Sequence, residues 1–131
     1  MRYTVIIINH SHGDMAKRAV ESLIKNDQID PGHIVLIDNN GDLDVNNWIS
    51  AEYPSATLIK NNIRKGFAEN ANLGISHSNS EYVILVNPDI YIQYSCTSQL
   101  LSYMDRNQDV GIVGPKLLNE DGSLQPSCRR Y

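Results

Sequence analysis

Runs of apolar residues, separated by short polar segments, divide the chain into alternating predicted strands and helices. Residues 3–8 (YTVIII) and 34–38 (IVLID) are rich in β-branched side chains, which favour buried strands. Residues 56–60 and 82–86 predict two further strands. In the last of these, the consecutive apolar residues Val83 to Val86 predict burial on both faces.

Helices are predicted between these strands. Residues 15–26 place apolar side chains at helical spacing, with charged side chains opposite, and Asp14 is expected to cap this helix. Further helices are predicted at 45–53, at 66–78 and at 98–107. The alternation of strand and helix predicts an α/β fold, with a mostly parallel sheet covered by helices on both faces.

The last part of the chain predicts a fifth strand and a hairpin. Residues 110–114 (VGIVG) have the composition of a short strand. Residues 115–127 predict a hairpin with Glu-Asp-Gly, residues 120–122, at its tip. No linker interrupts the pattern, so a single domain is expected over residues 1–131.

Four polar segments each follow a predicted strand: residues 9–14, 38–42, 60–66 and 87–89. In parallel sheets, ligands bind outside the carboxyl ends of the strands. We therefore expect these segments to converge on one edge of the sheet and to form a binding site there.

Composition narrows the class of ligand. The formal net charge is −4, which argues against a protein that binds nucleic acid duplexes, because these need a basic surface. Cys96 and Cys128 are far apart, so neither a zinc site nor a redox motif is expected, and a reducing cytoplasm suits them best. The sequence shows no signal peptide and no apolar run of transmembrane length.

The polar segments carry several carboxylates, several amides and a few basic side chains, but no standard nucleotide motif. There is no Gly-x-Gly-x-x-Gly, no Gly-x-x-x-x-Gly-Lys and no serine nucleophile elbow. The remaining groups suit a nucleotide that carries a diphosphate. One carboxylate would accept hydrogen bonds from the nucleoside, and another would hold Mg²⁺ or Mn²⁺ against the phosphates.

The segments TVIIINHSH, IVLIDNNGD, GFAENANLGI and VILVNPDI, in this order, resemble family 2 glycosyltransferases with the GT-A fold. The later segment VGIVGPKLLNEDGSLQPSCRR is similar to the rhamnosyltransferase-like subgroup. This resemblance implies inverting transfer from a nucleotide diphosphate sugar, with dTDP-rhamnose as the expected donor. The implied acceptor is a glycan or a lipid-linked glycan in cell-surface polysaccharide synthesis, at the cytoplasmic face of a membrane and with peripheral membrane association.

The resemblance also implies site residues. Asp89 matches the last acid of the metal motif, in which Asn87 replaces the first, and Asp38 matches the acid that contacts the nucleoside. Residues 122–129 would face the sugar or the acceptor. The expected residues of the nucleotide-sugar site are Asn9, Asp38, Gly66, Phe67, Asn70, Asn87 and Asp89. Asn72 belongs to the same motif as Asn70, but the two lie about 200° apart on a helix, so one of them is expected to support the loop instead.

Each of these residues also has a purely structural interpretation. Asp38 could form an Asx-turn, with the rest of the acidic segment 38–44 solvated, and Asp89 could cap the next segment. Gly66 could be a simple helix entry, and Phe67 a core residue. A loop or capping role is favoured over metal binding for His10 and His12. Arg129 and Arg130 would either bind the diphosphate or be solvated.

No residue matches the family's catalytic base. An inverting transfer needs a base for the acceptor hydroxyl, and neither Asp105, Asp109, Glu120 nor Asp121 lies in the matching context. Three explanations stay open: a piece of a longer chain that carries the donor-binding half, a short protein completed by another chain, and a remnant that binds nucleotide sugars without transfer. The end of the chain, SCRRY, favours the first. A sugar-phosphate nucleotidyltransferase is disfavoured, because segment 9–14 lacks a glycine-rich, basic phosphate loop.

Overall fold

The computed structural model describes residues 1–127, which fall into two compact units, Met1–Ser95 and a second unit that begins at Cys96. The organisation of residues 1–131 as a single domain stays a prediction. In the first unit the strands are β1 (Tyr3–Asn9), β2 (Ile34–Asp38), β3 (Thr57–Lys60) and β4 (Tyr82–Val86), and the helices are α1 (Asp14–Lys25), α2 (Leu43–Glu52) and α3 (Phe67–Ser76). The second unit contains α4 (Cys96–Arg106).

The four strands form one parallel sheet in the order β3-β2-β1-β4. Asn9, the last residue of β1, pairs with Asp38, the last residue of β2, and Asp38 pairs in turn with Lys60. All the carboxyl ends therefore meet at one edge, and the parallel sheet predicted from the alternation of elements is confirmed.

The core lies around β1 and β2, whose consecutive residues are buried on both faces of the sheet. Val5, Ile6 and Ile7 are at most 1% exposed, and successive side chains of a strand point to opposite faces. On the face of Ile6, α3 packs against β1 and β2. A Cβ atom on Gly74 would lie 2.6 Å from Cγ2 of Ile6, so the glycine inside this helix allows it to approach the sheet.

Strand β4 differs from its prediction. Val83 and Leu85 are 37% and 48% exposed, so the expected burial on both faces is wrong. In the register of the sheet, Leu85 lies beside Ile6, on the face that α3 covers at β1 and β2. Because β4 is at the edge of the sheet, beyond these two strands, part of its apolar face is left open.

The start of α1 also differs in detail, because Gly13 takes the capping position and Asp14 is the first helical residue. In the second unit, the strand predicted at 110–114 does not form, since no described residue pairs with it. The hairpin after it is confirmed in reduced form. Leu118 and Leu124 form an isolated antiparallel bridge, and Gly122 takes a positive φ of 82° at the turn. Among the described residues, no helix is both long and apolar enough to cross a membrane.

Candidate functional site

The carboxyl edge of the sheet in the first unit contains a cavity of about 610 Å³. All four polar segments that follow the strands contribute to its walls, as the sequence predicts. The residues that line it are Ile8, His10, His12, Asn39, Arg64, Lys65, Gly66, Phe67, Asn70, Asn87, Pro88 and Asp89. Its volume is in the range of pockets that hold small-molecule ligands.

Five of the seven expected site residues line this cavity, and two do not. Gly66, Phe67, Asn70, Asn87 and Asp89 are in its walls. Asn9 and Asp38 lie at the same edge of the sheet, but their side chains form hydrogen bonds within the protein and do not line the cavity. The position of a residue does not show whether it contacts a ligand, so the binding roles of all seven residues stay predictions.

Asp38 is 1% exposed, and both of its carboxylate oxygens accept hydrogen bonds from the protein. Oδ1 accepts from the backbone N–H groups of Asn40 (3.2 Å) and Asp42 (3.1 Å), and Oδ2 accepts from the amide of Asn46. Burial raises the pKa of Asp38, but these hydrogen bonds outweigh it and leave the pKa below its ordinary value. The structure therefore shows the turn-forming role, and contact with a nucleoside stays a prediction.

Asn9 is fully buried and joins the loop after β1 to the start of α2. Its amide donates to Oδ2 of Asp42 (3.2 Å), and its Oδ1 accepts from the backbone N–H of His12 (3.0 Å). Asp42 in turn caps α2 by accepting from the backbone N–H of Val45 (3.1 Å). The expectation that Asp42 is only solvated is therefore wrong, and Asp44 forms an ion pair with Lys17.

Three asparagines, Asn39, Asn61 and Asn70, surround the backbone of Lys65 and are called the amide clamp below. Asn39 accepts from the Lys65 N–H and donates to the Lys65 carbonyl, both at 2.9 Å. The amide of Asn61 donates to Oδ1 of Asn39 at 2.9 Å and to Oδ1 of Asn70 at 2.6 Å. The clamp fixes the loop that carries Arg64 and Lys65 into the cavity wall.

Asn70 completes the clamp from the first turn of α3. It is fully buried, and its amide donates to the carbonyls of Lys65 (3.2 Å) and Gly66 (2.9 Å). Asn72 is exposed, which confirms that the two asparagines point different ways. Asn70 supports the loop. Phe67 is 61% exposed at the cavity, so its interpretation as a core residue is wrong.

The charged groups of the cavity stand on separate segments. Arg64 is exposed and has no hydrogen bond or ion pair to any described residue, whereas Lys65 pairs with Glu69 at 3.4 Å. Asp89 is exposed and likewise has no partner among residues 1–127. The cavity thus offers both an unpaired cation and an unpaired carboxylate.

The segment that carries Asp89 is anchored by residues on either side of it. Pro88 is buried, and Ile92 is pinned to α1 by two hydrogen bonds. The Ile92 N–H donates to Oγ of Ser22, and the amide of Asn26 donates to the Ile92 carbonyl, both at 3.0 Å. The chain therefore returns to packed structure directly after the exposed carboxylate, as the apolar residues there predict.

The two histidines after β1 line the cavity, and His12 plays a loop role, one of the two structural roles expected for it. Its Nδ1 accepts from the backbone N–H of His10 at 3.2 Å. Within residues 1–127, no group of three or more His, Cys, Asp or Glu side chains is arranged to hold a metal ion.

Sequence reasoning missed two members of the clamp, Asn39 and Asn61. Asn39 directly follows a strand-end carboxylate, and that position was the signal that could have identified it. Cys128, Arg129 and Arg130, and with them the end of segment 122–129, lie outside the described residues, so the diphosphate role considered for the two arginines stays a prediction.

Comparison with known proteins agrees with this architecture. The family model described as glycosyl transferase family 2 matches residues 4–126. The structure of Staphylococcus aureus TarS 1–349 in complex with UDP aligns with a TM-score of 0.68 and 18% identity, over 82% of this chain and 33% of that one. A second structure of TarS aligns with a TM-score of 0.67 and 17% identity, over 82% of this chain and 20% of that one.

A third match is the mannosyltransferase PcManGT from Pyrobaculum calidifontis, in complex with GDP-Man and Mn²⁺, with a TM-score of 0.67 and 20% identity. The alignment covers 79% of this chain and 32% of that one. The chain therefore spans a fifth to a third of the length of these structures, whose similarity confirms the α/β GT-A-like fold. A sequence search of curated proteins found no match.

Proposed function

The chain belongs to glycosyl transferase family 2, and from that premise we propose that its cavity binds the nucleoside diphosphate part of a sugar donor. The observation that carries this proposal is the pairing of unlike charges in one cavity. Arg64 stands in one wall and Asp89 in another, and neither has a partner among residues 1–127. A diphosphate with a divalent cation presents both of the complementary charges.

A divalent cation, Mg²⁺ or Mn²⁺, fits this site only as a shared ligand. Mg²⁺ is typically bound by one or two protein carboxylates together with substrate phosphates and water. Asp89 supplies one such carboxylate, and the described residues supply no cluster that would hold the ion alone. A bound cation would neutralise charge on the diphosphate and so make it a better leaving group.

The remaining parts of the site would orient the donor. The amide clamp fixes the loop of Arg64 and Lys65 before any ligand arrives, which lowers the entropy lost on binding. Gly66 and Phe67 lie beside that loop in the cavity wall. Asn87 lines the cavity two residues before Asp89 and would contact the sugar or the diphosphate.

The finer proposal is inverting transfer of a deoxyhexose, with dTDP-rhamnose as the donor and a glycan or lipid-linked glycan as the acceptor. It rests on the resemblance of the VNPDI and VGIVGPKLL segments to rhamnosyltransferase-like proteins. The acceptor hydroxyl would attack the anomeric carbon, the bond to the diphosphate would break, and the hydroxyl proton would pass to a base. No residue of this chain is assigned as that base.

The proposed setting is the cytoplasmic face of a membrane, with peripheral association, where lipid-linked glycans are assembled. The alternative is a module that binds nucleotide sugars without transfer. Donor binding without transfer or donor hydrolysis would favour that alternative.

Calorimetric titration tests the proposal. The wild-type protein should bind at least one of UDP-, GDP- and dTDP-sugars, and tightest in Mn²⁺. Asp89→Ala should lose the Mn²⁺-dependent part of the affinity. If the wild type binds none of these donors, the proposed function is wrong, and if chelator and Asp89→Ala leave binding unchanged, the metal assignment is wrong.

A further inference from the structure

His12 presents a ring to the cavity, and nothing in the proposed donor site yet uses it. The side chain is half-buried, and its ring is part of the cavity wall. One ring nitrogen, Nδ1, accepts from the backbone N–H of His10. The other, Nε2, has no partner among residues 1–127.

This hydrogen bond determines which ring nitrogen of His12 carries the proton. A backbone N–H can only donate, so Nδ1 must be the unprotonated acceptor. In the neutral imidazole the proton is then on Nε2. Nε2 is therefore a hydrogen-bond donor without a described acceptor.

The backbone of His12 is held as firmly as its ring. Its N–H donates to Oδ1 of Asn9 at 3.0 Å, and its carbonyl accepts from the N–H of Met15 at 2.9 Å. Asn9 is itself fixed by its hydrogen bond to Asp42. The direction of the Nε2–H is thus set by contacts on both sides of the peptide and on the ring.

We propose that His12 is a ligand-binding residue, which donates a hydrogen bond from Nε2 to an oxygen of the bound nucleotide. The hydrogen bond from the His10 N–H to Nδ1, which by itself indicates only a structural role, is the contact that orients this donor. The proposal rests on the proposed function, since it needs a nucleotide in the cavity. The accepting oxygen belongs either to a phosphate or to the nucleoside.

Two substitutions separate the cap from the donor. In His12→Asn, the side-chain oxygen can still accept from the His10 N–H, but no atom reaches the position of Nε2. In His12→Gln, an N–H can reach that position, but the ring that caps His10 is lost. His12→Ala removes both functions.

Binding is measured by calorimetry with whichever of UDP, GDP and dTDP the wild-type protein binds most tightly. We expect His12→Ala and His12→Asn to weaken binding roughly tenfold, which is the loss typical of one hydrogen bond to a charged group. We expect His12→Gln to bind more tightly than His12→Ala but less tightly than wild type, because it restores an N–H near that position without the hydrogen bond that orients it. Thermal unfolding of each variant shows whether the fold is retained.

The outcomes are distinct. If His12→Asn binds like wild type, the residue only caps the loop and the proposal is overturned. It is also overturned if His12→Ala binds like wild type, since that variant has neither the ring that accepts from His10 nor the donor. If the wild type binds no nucleotide at all, it is the proposed function that fails, whereas wild-type binding with unaffected variants defeats this proposal alone.

Two further measurements keep the proposal testable if a variant unfolds. In the ¹⁵N spectrum of the free wild-type protein, the neutral ring of His12 should carry its proton on Nε2, and the nucleotide should perturb that nitrogen more than Nδ1. The opposite tautomer overturns the proposal.

Titration of the His12 variants with inorganic pyrophosphate identifies the accepting oxygen. If the variants bind pyrophosphate and nucleotide equally more weakly than wild type does, the oxygen belongs to a phosphate. If they bind only the nucleotide more weakly, it belongs to the nucleoside.

Discussion

The loop beside α3 and the segment around Asp89 form two sides of the same cavity, yet they are built in different ways. On the first side, the amide clamp satisfies its own hydrogen bonds around the Lys65 backbone. On the second side, the Asp89 side chain has no partner among residues 1–127, and the segment that carries it is anchored by Ile92. Shape and charge are thus supplied separately: the clamp fixes shape without a ligand, and Asp89 leaves a charge for the ligand to satisfy.

Substituting Asn70 should have the largest effect on stability. Asn70→Ala removes one acceptor and two donors in a fully buried position, and so leaves the Lys65 and Gly66 carbonyls and the Asn61 amide without these partners. We expect the free energy of unfolding to fall by about 3 kcal/mol. Denaturant unfolding measures it.

Asn72→Ala is the matched control, since it changes the same residue type on the same helix at an exposed position. It should change the free energy of unfolding by less than about 0.5 kcal/mol. Equal losses for the two variants would show that the clamp contributes nothing specific.

The next largest effect is expected at Asp38. Asp38→Asn replaces an acceptor oxygen by an amide that faces backbone N–H groups or the Asn46 amide, so we expect a loss of about 2 kcal/mol at neutral pH. Because the pKa of Asp38 is lowered, its carboxylate is ionised at neutral pH, and its hydrogen bonds contribute fully to stability there. The contribution decreases as the pH falls from the ordinary value of about 3.9 through the lower folded-state pKa.

Unfolding measured between neutral and acidic pH checks this dependence, because the difference between Asp38→Asn and wild type should shrink in acid. The control is Asp121→Asn. The pKa of Asp121 is also lowered, by hydrogen bonds from Ser123, but the residue is exposed and water competes for them. A pH-independent difference for Asp38→Asn would contradict the assignment of a charged, hydrogen-bonded carboxylate.

The contrast between the two sides also explains what the sequence could predict. The parallel sheet and the convergence of the polar segments follow from the apolar runs at 3–8 and 34–38 and from the alternation with helices. Asp89 could be placed at this edge because an apolar strand, β4, leads directly to it. These are local patterns, and elements fixed by local patterns are the ones that sequence reasoning identifies.

The clamp could not be predicted in the same way. Asn39 and Asn61 are 22 residues apart, and their pairing depends on how β2, β3 and α3 meet. The strand predicted at 110–114 does not form for a related reason, because a composition typical of strands does not provide a partner strand. The exposure of Val83 and Leu85 likewise depends on where α3 lies over the sheet, which the strand's own sequence does not encode.

A smaller loss of stability is expected at the anchor behind Asp89. Ser22→Ala removes the hydroxyl that accepts from the Ile92 N–H, and this leaves a buried N–H without that partner. We expect a loss of about 1 kcal/mol, because the gain in helix propensity offsets part of the effect. Ser76→Ala is the control, since the Ser76 hydroxyl donates to the carbonyl three residues earlier, as that of Ser22 does, but is exposed. A loss as large for Ser76→Ala would show that the bond to Ile92 does not stabilise the segment.

The smallest effect on stability is expected at Asp89 itself. Because its carboxylate is exposed and has no partner among residues 1–127, Asp89→Ala should change the free energy of unfolding by less than about 0.5 kcal/mol without ligand. With Mn²⁺ and a nucleoside diphosphate present together, wild type should gain thermal stability that the variant lacks, because ligand binding stabilises only the state that binds. Mn²⁺ alone should stabilise neither protein, since the described residues form no metal cluster of their own. A large loss of stability in the ligand-free variant would show that Asp89 stabilises the fold, as the clamp does. An equal gain of thermal stability in both proteins with Mn²⁺ and the nucleoside diphosphate would show that the Asp89 carboxylate does not bind the ligand.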